Sequence, residues 1–402
     1  MTDKHNTLDN IRQRLNELDE QLLSLLSERR KMSLEVAKSK VQTAKPVRDA
    51  KREQQLLIRL LKSGQDNHQL DASYITKIFH TIIEDSVLLQ QAYLQNLTNP
   101  ELHRNPQTRV AFLGSKGSYS HLASREYFSR KNVSLIELNC EHFKKIIHTV
   151  ESGHADYGVL PIENTSSGSI NEVYDLLQHT TLYIVGELTL PIEHCLVATQ
   201  DIPLEKIKTL YSHPQPHQQC SEFISHLQGV TLESCASTAD AMQKVQELNR
   251  DDIAAIGNAS SGKLYGLQPI HSNIANQTEN HTRFIVVARK PVDVSPQIPA
   301  KTTLIMSTSQ QAGALVETLL VLQRYGINMT KLESRPIIGN PWEEMFYVDL
   351  EAHLDSDDMQ QALQELMKIT KSLKVLGCYP SENVKPTSVS STSIEGEIQA
   401  GQ

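Results

Sequence analysis

The sequence predicts a multidomain protein in which an all-α segment, an α/β segment and an α+β segment follow one another. Three observations predict this order. Apolar residues recur at helical spacing over 1–98, and short apolar runs alternate with helical patterns over 107–290. From 300 to 386 the order of patterns is βαββαβ, that of a ferredoxin-like sandwich. The Ser/Thr/Glu-rich end from Ser381 is predicted to be disordered, with 387–402 as its tail.

Composition excludes several classes of protein. The 402 residues include 47 acidic and 39 basic side chains, which gives a net charge of −8. A nucleic-acid-binding protein would be expected to carry an excess of basic residues instead. No run of about 18 apolar residues predicts a membrane span, and the N-terminus lacks the pattern of a secretory signal. Five scattered cysteines without a CxxC motif predict reduced thiols. We therefore expect a cytoplasmic protein that binds neither nucleic acid nor membrane.

The first segment is predicted to contain three helices. From Leu8 to Leu25 the apolar residues follow at intervals of three and four, which places them on one face of a helix that ends near Gln42. A second helix is predicted over 47–64, with Gly64 as its C-terminal cap. A third is predicted to begin after Asp71, which is a suitable N-cap.

Polar side chains interrupt the apolar faces of all three helices. Arg29 and Lys40 lie on the first helix, 11 residues apart and about 16 Å along its axis. The other two helices carry Asp49, Glu53, Ser86 and Gln90 at corresponding positions. Burying unpaired charge is costly, so these groups require partners. Two interpretations stay open: a salt-bridge network of Arg29 and Lys40 with the two carboxylates, or a cavity for a small dianion.

Arg12 raises a geometric question. It precedes Arg29 by 17 residues, about 25 Å along a straight helix, so one helix cannot bring both guanidinium groups to one small ligand. Either Arg12 is a solvated surface residue, or it reaches the site from a second copy of the chain.

The first segment resembles the all-helical class of chorismate mutases over IRQRLNELDEQLLSLLSERRKMSLEVAKSK, PVRDAKREQQLL and IIEDSVLLQQ, and the resemblance extends along the chain to the bifunctional chorismate mutase–prephenate dehydratase family. It implies a homodimer or higher homo-oligomer that rearranges chorismate to prephenate, with Arg12 supplied by the other subunit. The implied pocket residues are Arg12, Arg29, Lys40, Asp49, Arg52, Glu53, Ser86 and Gln90. Lys40, Glu53 and Gln90 are the implied catalytic residues.

In the middle segment, apolar runs predict buried strands at 109–114, 156–164, 182–190, 253–257 and 283–288. Three loops at strand ends carry polar side chains: GSKGSYSH (114–121), PIENTSSGSI (161–170) and NHTRFIVVA (280–288). Glycines and hydroxyls there are able to present backbone N–H groups to an anion, although many such turns are purely structural.

These loops together resemble the two-lobed α/β domain of prephenate dehydratases, whose signature is Thr-Arg-Phe. The resemblance implies that Thr282 is catalytic in the loss of CO2 and water from prephenate, which gives phenylpyruvate. Thr282 is expected to donate a hydrogen bond to the departing hydroxyl, with Glu163 as the alternative acid. The expected substrate-binding residues are Ser118, Glu163, Asn164, Ser166, Ser212, Gln219 and Arg283.

A metal site is the competing interpretation of the loop SHPQPHQQC (212–220), which contains His213, His217 and Cys220. Pro214 and Pro216 predict that this loop is not a regular helix, and no fourth ligand is evident. We expect no metal and no cofactor.

The last segment resembles the regulatory ACT module of these enzymes over AGALVETLLVL and KLESRPIIGNPWEEMFYVDL. The resemblance implies that L-phenylalanine, an allosteric inhibitor, binds between paired modules of two chains. The implied contacts are Gly313, Ala314, Leu315, Val316, Glu333, Ser334, Arg335 and Pro336. The alternative is that Gly313 only starts a helix and Arg335 is an edge-strand charge. For the whole chain, the alternative to an enzyme is a non-catalytic amino-acid-sensing regulatory protein.

Overall fold

The computed structural model describes residues 2–43, 45–100, 107–129, 131, 133–277, 279–337, 339–340 and 342–382, without the side chains of 2–7, 65, 67 and 68. The chain divides into two compact units. The first unit contains the chain up to Pro100 together with Ser295–Pro299. The second unit contains the remaining described residues through Glu382.

The described residues of the first unit form three helices, as predicted: α1 (Thr2–Thr43), α2 (Ala50–His68) and α3 (Ala72–Thr98). Helix α3 packs against both α1 and α2. Its buried apolar face includes Ile75, Ile83 and Val87, and Leu57 and Leu61 of α2 are buried as well.

The two predicted helix ends in this unit have different outcomes. Helix α3 begins after Asp71, whose carboxylate caps its first turn, as predicted. The predicted end of α2 at Gly64 is wrong, because the helix continues to His68 and ends at Gln69 in the left-handed conformation. Gly64 is instead buried where the helices meet, and a Cβ atom there would lie 2.2 Å from Cδ1 of Ile75. The glycine permits close packing of two helices.

The second unit contains, in its described residues, three sheets, nine α-helices and one short 3-10 helix (Leu204–Lys206). The strands are β1 (Gln107–Leu113), β2 (Ser134–Cys140), β3 (Tyr157–Asn164), β4 (Gly168–Ser169), β5 (Tyr183–Pro191), β6 (Cys195–Ala198), β7 (Thr209–Ser212), β8 (Thr231–Ser234), β9 (Ile253–Gly257), β10 (Gln268–His271), β11 (His281–Ala288), β12 (Ala300–Thr308), β13 (Asn328–Pro336), β14 (Glu344–Glu351) and β15 (Thr370–Pro380). The helices are α4 (Tyr119–Ser129), α5 (Phe143–Glu151), α6 (Asn171–His179), α7 (Pro214–Gln219), α8 (Ser221–Ser225), α9 (Thr238–Leu248), α10 (Ala259–Leu264), α11 (Ala314–Arg324) and α12 (Asp357–Ile369).

The α/β segment builds two mixed sheets. The first has the order β2-β1-β3-β11-β5, with β4 paired to β3, and β11 runs antiparallel to both of its neighbours. The second has the order β10-β6-β9-β7-β8. The chain leaves the first sheet after β5 and returns to it at β11. The first residues of β11 therefore lie where the chain comes back from the second sheet.

The last segment has the predicted βαββαβ order, and its antiparallel sheet runs β13-β14-β12-β15. One face of this sheet is covered by α11 and α12, which bury Val321, Leu363 and Leu366 against it. On the first sheet of the unit, Leu160 and Ile184 share an apolar cluster with residues of the last segment: Ile305, Met345, Tyr347, Leu376 and Tyr379. Strand β13 is at the edge of the four-stranded sheet.

Two predictions about loops are wrong. The prolines of the loop 212–220 do not prevent a helix, because Pro214 and Pro216 lie in the first turn of α7, where backbone N–H groups have no acceptor within the helix. The start of the predicted disordered tail is held in place, since the Glu382 carboxylate accepts the backbone N–H of Thr189 on β5 at 2.6 Å. The rest of that tail, from Asn383, lies outside the described residues.

Among the described residues, none of the helices has both the length and the apolar character that a membrane span requires.

Candidate active sites

In the first unit, Arg29 on α1 meets two polar residues of α3. Its guanidinium donates to the carbonyl of Ile82 at 3.1 Å and to the hydroxyl of Ser86. The amide of Gln90, one turn further on, donates to the Ser86 carbonyl at 3.1 Å. The buried Oε1 atom of Gln90 has no hydrogen-bond partner in the described part of the chain. The structure therefore brings Arg29, Ser86 and Gln90 together. It also leaves a hydrogen-bond acceptor, Oε1 of Gln90, free between the helices of the described chain.

The predicted salt-bridge network is not found here. Neither Arg29 nor Lys40 has a carboxylate within ion-pair distance among the residues that the structure describes. Burial lowers the pKa of Arg29, an effect that Asp85 opposes, and burial likewise lowers the pKa of Lys40. The Lys40 ammonium instead donates to the carbonyl of Val47. Two partly desolvated cations without ion pairs favour the interpretation as an anion site.

Arg48 was not among the residues predicted from the sequence. Its guanidinium contacts the Glu53 carboxylate at 3.1 Å and also that of Glu84, with only 10% of the Arg48 side chain exposed. The helix predicted over 47–64 includes Arg48, but the polar row of that helix was Asp49 and Glu53, and Arg48 lies one residue off it. In the structure α2 begins only at Ala50, so Arg48 precedes the helix. Asp49, which was predicted to point inward, is exposed and caps α2 by accepting the backbone N–H of Arg52 at 3.0 Å. Its position as an N-cap explains the difference.

Arg12 and Arg52 are exposed, and a single chain does not bring Arg12 to Arg29. Arg12 has 67% of its side chain exposed and lies 3.7 Å from Asp9. The same half of α1 exposes an apolar stripe whose residues are each between 41% and 62% exposed: Leu8, Ile11, Leu15, Leu18, Leu22 and Leu25.

In the second unit, Thr282 lies opposite Asn164 in the pairing of β11 with β3, and Arg283 lies opposite Glu163. The amide of Asn164 donates to the Thr282 hydroxyl at 2.9 Å and to Oδ1 of Asn280 at 2.7 Å. Successive residues of a strand point to opposite faces of the sheet. Thr282 and Asn164 therefore share one face, and Arg283 and Glu163 share the other.

The structure does not bring Arg283 or Glu163 to Thr282. Arg283 is buried and donates to Glu187 at 2.8 Å and to Asp349 at 2.6 Å, so acidic groups of the chain itself already take its donors. The Glu163 carboxylate accepts the ammonium of Lys331 at 2.6 Å and lies 3.5 Å from Arg283. This geometry does not support the expectation that Arg283 binds a substrate carboxylate or that Glu163 is the alternative acid.

A cavity of about 330 Å³ lies next to the Thr282 face. Its lining consists mainly of amides and hydroxyls: Ser166, Ser167, Gln215, Gln218, Gln219, Ala275, Asn276, Gln277 and Asn280. Asn280 connects it to Asn164 and, through Asn164, to Thr282. Of the predicted ligands, Ser166 and Gln219 therefore line the cavity, and Asn164 and Thr282 are connected to its lining by the hydrogen bond between Asn164 and Asn280.

Ser118 and Ser212 are buried and do not line this cavity. Their hydroxyls donate to backbone carbonyls, of Leu113 and His213 respectively, at 2.9 Å each. Their role as substrate ligands stays a prediction. In the described ranges, no three His, Cys, Asp or Glu side chains are grouped to hold a metal, and His213 caps α7.

The predicted regulatory residues lie on two elements of the βαββαβ segment. Gly313 precedes α11 with φ +87°, and Val316 on that helix is 58% exposed. On β13, the guanidinium of Arg335 binds both carboxylate oxygens of Asp175, at 2.9 and 2.8 Å. Arg335 is thus a charge on the edge strand with a partner in the chain, which agrees with the alternative interpretation, and its role as a phenylalanine contact stays a prediction.

Comparison with known proteins gives matches along most of the chain. Two family models match, chorismate mutase type II over residues 11–91 and prephenate dehydratase over residues 110–292. A bifunctional chorismate mutase/prephenate dehydratase from Enterobacter agglomerans is 58% identical over 382 residues, which are 95% of this chain and 98% of the relative.

Two solved structures are also similar to the chain. GqqA, described as a novel type of quorum quenching acylase, is 31% identical with a TM-score of 0.61 over 68% of this chain and 98% of that chain. The prephenate dehydratase of Arthrobacter aurescens in complex with L-Phe is 24% identical with a TM-score of 0.62, over 73% and 96%. At 24% identity, the second match shows a similar fold and nothing about function.

Proposed function

The chain belongs to the family of bifunctional chorismate mutase/prephenate dehydratases, and on that premise we propose how it divides the two reactions. It is an enzyme of phenylalanine biosynthesis, with an isomerase and a lyase activity. We assign the conversion of chorismate to prephenate to a mutase domain over 1–98, and the formation of phenylpyruvate to a dehydratase domain over 107–290. A regulatory ACT domain follows over 300–386.

The mutase reaction is an intramolecular Claisen rearrangement, which needs neither a nucleophile nor a proton transfer. The protein has to hold the reactive conformer and stabilise the charge that develops on the ether oxygen. The observation that carries this assignment is the pair of desolvated cations, Arg29 and Lys40, without carboxylate partners in the described residues. Arg29 takes a substrate carboxylate, and Lys40 and Gln90 donate to the ether oxygen.

One carboxylate completes this pocket in the single chain. Glu53, held by Arg48, orients the ring hydroxyl of chorismate, whereas Asp49 is exposed as the N-cap of α2 and its role as a substrate ligand stays a prediction. Ser86 keeps the Arg29 guanidinium in place. Arg52 is exposed in the single chain, and its role as a substrate ligand stays a prediction.

We further propose that the enzyme is a homodimer in which Arg12 completes the site of the partner. The apolar stripe from Leu8 to Leu25 supports this, because exposed apolar surface of this extent marks an interaction surface. The distance of about 25 Å along α1 separates Arg12 from the Arg29 of its own chain. A partner helix alongside α1 would cover the stripe and supply the missing arginine.

In the dehydratase, Thr282 assists the departure of the ring hydroxyl. As the carboxylate leaves as CO2, its electron pair enters the ring, and the hydroxyl leaves with a proton as water. Because Asn164 donates to the Thr282 oxygen, the Thr282 O–H remains directed toward another acceptor. The hydroxyl thus donates to the departing oxygen. Amides along the cavity, including Gln219, and the turn at Ser166 bind the carboxylates of prephenate.

We also propose that L-phenylalanine inhibits the enzyme by binding to the βαββαβ domain. The similar fold of a dehydratase that was solved with L-Phe supports this. Gly313 to Val316 and Glu333 to Pro336 are the proposed contacts, which bias an equilibrium between two states of the enzyme. Five buried cysteines, all unpaired, support a cytoplasmic location. The chemistry needs no cofactor.

The division of the two reactions is tested with one variant in each site. Arg29→Ala should lower the mutase rate by about 100-fold or more through loss of a charge-assisted contact, and leave prephenate dehydration unchanged. Thr282→Ala should do the reverse. The two rates are measured as prephenate formed from chorismate and phenylpyruvate formed from prephenate. Equal loss of both activities in either variant would contradict separate sites.

A further inference from the structure

The edge strand β13 has an unusual pattern of burial. Its residues alternate between exposed and half-buried, and the half-buried side carries Lys331, Glu333 and Arg335, whose side chains are 24%, 24% and 20% exposed. Leu332, between them, points to the exposed side. A strand that turns charges toward the protein must meet polar partners there.

Lys331 lies 3.4 Å from Glu333 on the strand itself, and the other partners lie on one segment, Glu163–Asp175, which runs from the end of β3 into α6. The Lys331 ammonium donates to the Glu163 carboxylate at 2.6 Å and to the Ser169 hydroxyl at 3.3 Å. The Ser169 hydroxyl in turn donates to the Glu333 carboxylate at 2.6 Å. With the Arg335–Asp175 pair, β13 fixes the segment at three points along its length.

The other side of the same segment belongs to the dehydratase site. Asn164, next to Glu163 in sequence, holds the Thr282 hydroxyl and, through its own Oδ1, accepts the backbone N–H groups of Ser166 and Ser167 at 3.0 and 2.9 Å. The β3–β4 hairpin pairs Glu163 with Ser169 and Asn164 with Gly168. Asn164 follows Glu163 in the chain, and its pairing partner Gly168 precedes Ser169. A shift of Glu163 or Ser169 therefore also moves Asn164.

We propose that Lys331 and Glu333 are positioning residues for the dehydratase reaction. They do not line the cavity, and they act through Glu163 and Ser169 on the placement of Asn164 and Thr282. The inference rests on the proposed role of Thr282. Since a misplacement of about 1 Å in a catalytic group costs about 100-fold in rate, loss of this anchor is expected to be visible in kcat.

The test compares two lysines of the same domain. Lys331→Met removes the anchor, and Lys331→Arg keeps a cation that is able to bind Glu163. Lys371→Met is the matched control, because Lys371 forms an ion pair with Glu343 at 2.6 Å that does not touch the segment Glu163–Asp175. Ser169→Ala is a second, milder variant, in case Lys331→Met does not fold. The mutase rate of each full-length preparation reports the amount of active enzyme.

We expect Lys331→Met to lower kcat for prephenate about tenfold or more, with KM changed less than about threefold and the mutase rate unchanged. Lys331→Arg should restore most of the loss, Ser169→Ala should lower kcat several-fold, and Lys371→Met should match the wild type. The proposal is overturned if Lys331→Met, or Ser169→Ala where the former does not fold, equals Lys371→Met while the wild type is active. A wild type without dehydratase activity would instead refute the proposed function.

Discussion

At the scale of single residues, the two proposed sites treat charge in opposite ways. In the helical unit, Arg29 and Lys40 are partly buried and lack ion-pair partners in the described residues, so in the proposed site a dianionic substrate would supply the missing negative charge. Beside Thr282 the cavity is lined with neutral amides and hydroxyls, while the nearest arginine in sequence, Arg283, is bound to Glu187 and Asp349. The first site is therefore expected to be the more sensitive to pH.

This difference predicts the alkaline limb of the mutase pH profile. Burial lowers the pKa of Lys40 below 10.5, although Asp49 and Glu53 oppose the shift. The protonated ammonium stabilises the charge that develops on the ether oxygen much better than the neutral amine does, so kcat/KM for chorismate should fall as the pH rises through this lowered pKa. The profile is measured from neutral to strongly alkaline pH. Lys40→Arg, whose guanidinium stays protonated, should retain part of the activity and lose it only at higher pH. An identical decline in the variant would assign the limb to another group.

At the scale of helices and strands, the sequence predicts elements whose own pattern defines them. The helical spacing of Leu8–Leu25 and the βαββαβ order of the last segment are both found. Residues whose role is set by a distant element were not predicted. Gly64 was taken for a cap because its packing partner, Ile75, belongs to the next helix. The role of the charged residues of β13 likewise follows from their contacts with Glu163 and Ser169, which lie about 160 residues earlier in the chain.

Gly377 on β15 gives a prediction at this scale. A Cβ atom there would lie 2.1 Å from the backbone oxygen of Ile184 on β5, so Gly377→Ala forces two strands apart. We expect the free energy of unfolding of the second unit to fall by about 3 kcal/mol. Gly229→Ala is the control, since its Cβ meets no atom within 4 Å and its φ of +68° alone costs about 1 kcal/mol.

The measurement for Gly377 is the urea concentration at which dehydratase activity is half lost. The mutase activity of the same sample reports on the first unit, which the substitution does not touch. A Gly377→Ala midpoint equal to or above that of Gly229→Ala would mean that β15 and β5 separate without cost. The close contact of β15 with β5 would then not be what stabilises the packing of the βαββαβ segment against the first sheet.

At the scale of the whole molecule, the single chain leaves two features of α1 without a role. The stripe from Leu8 to Leu25 is exposed, although apolar residues at helical spacing normally cover a core. Arg12 is exposed on the same half of the helix and too far along it to reach the Arg29 of its own chain. A second copy would give both features a role, since burial of the stripe and delivery of Arg12 require the same neighbouring helix.

Mixed dimers test this exchange of arginines directly. Arg12→Ala and Arg29→Ala should each abolish mutase activity alone. When the two variants are coexpressed equally, about half of the dimers contain one chain of each, and one of their two sites combines the intact Arg29 with the partner's intact Arg12. About a quarter of the wild-type mutase activity should therefore return. Arg29→Ala coexpressed with Lys40→Ala is the control, because every site then lacks one residue and stays inactive. No recovery in the first pair, with dimers present, would mean that Arg12 does not act across the interface.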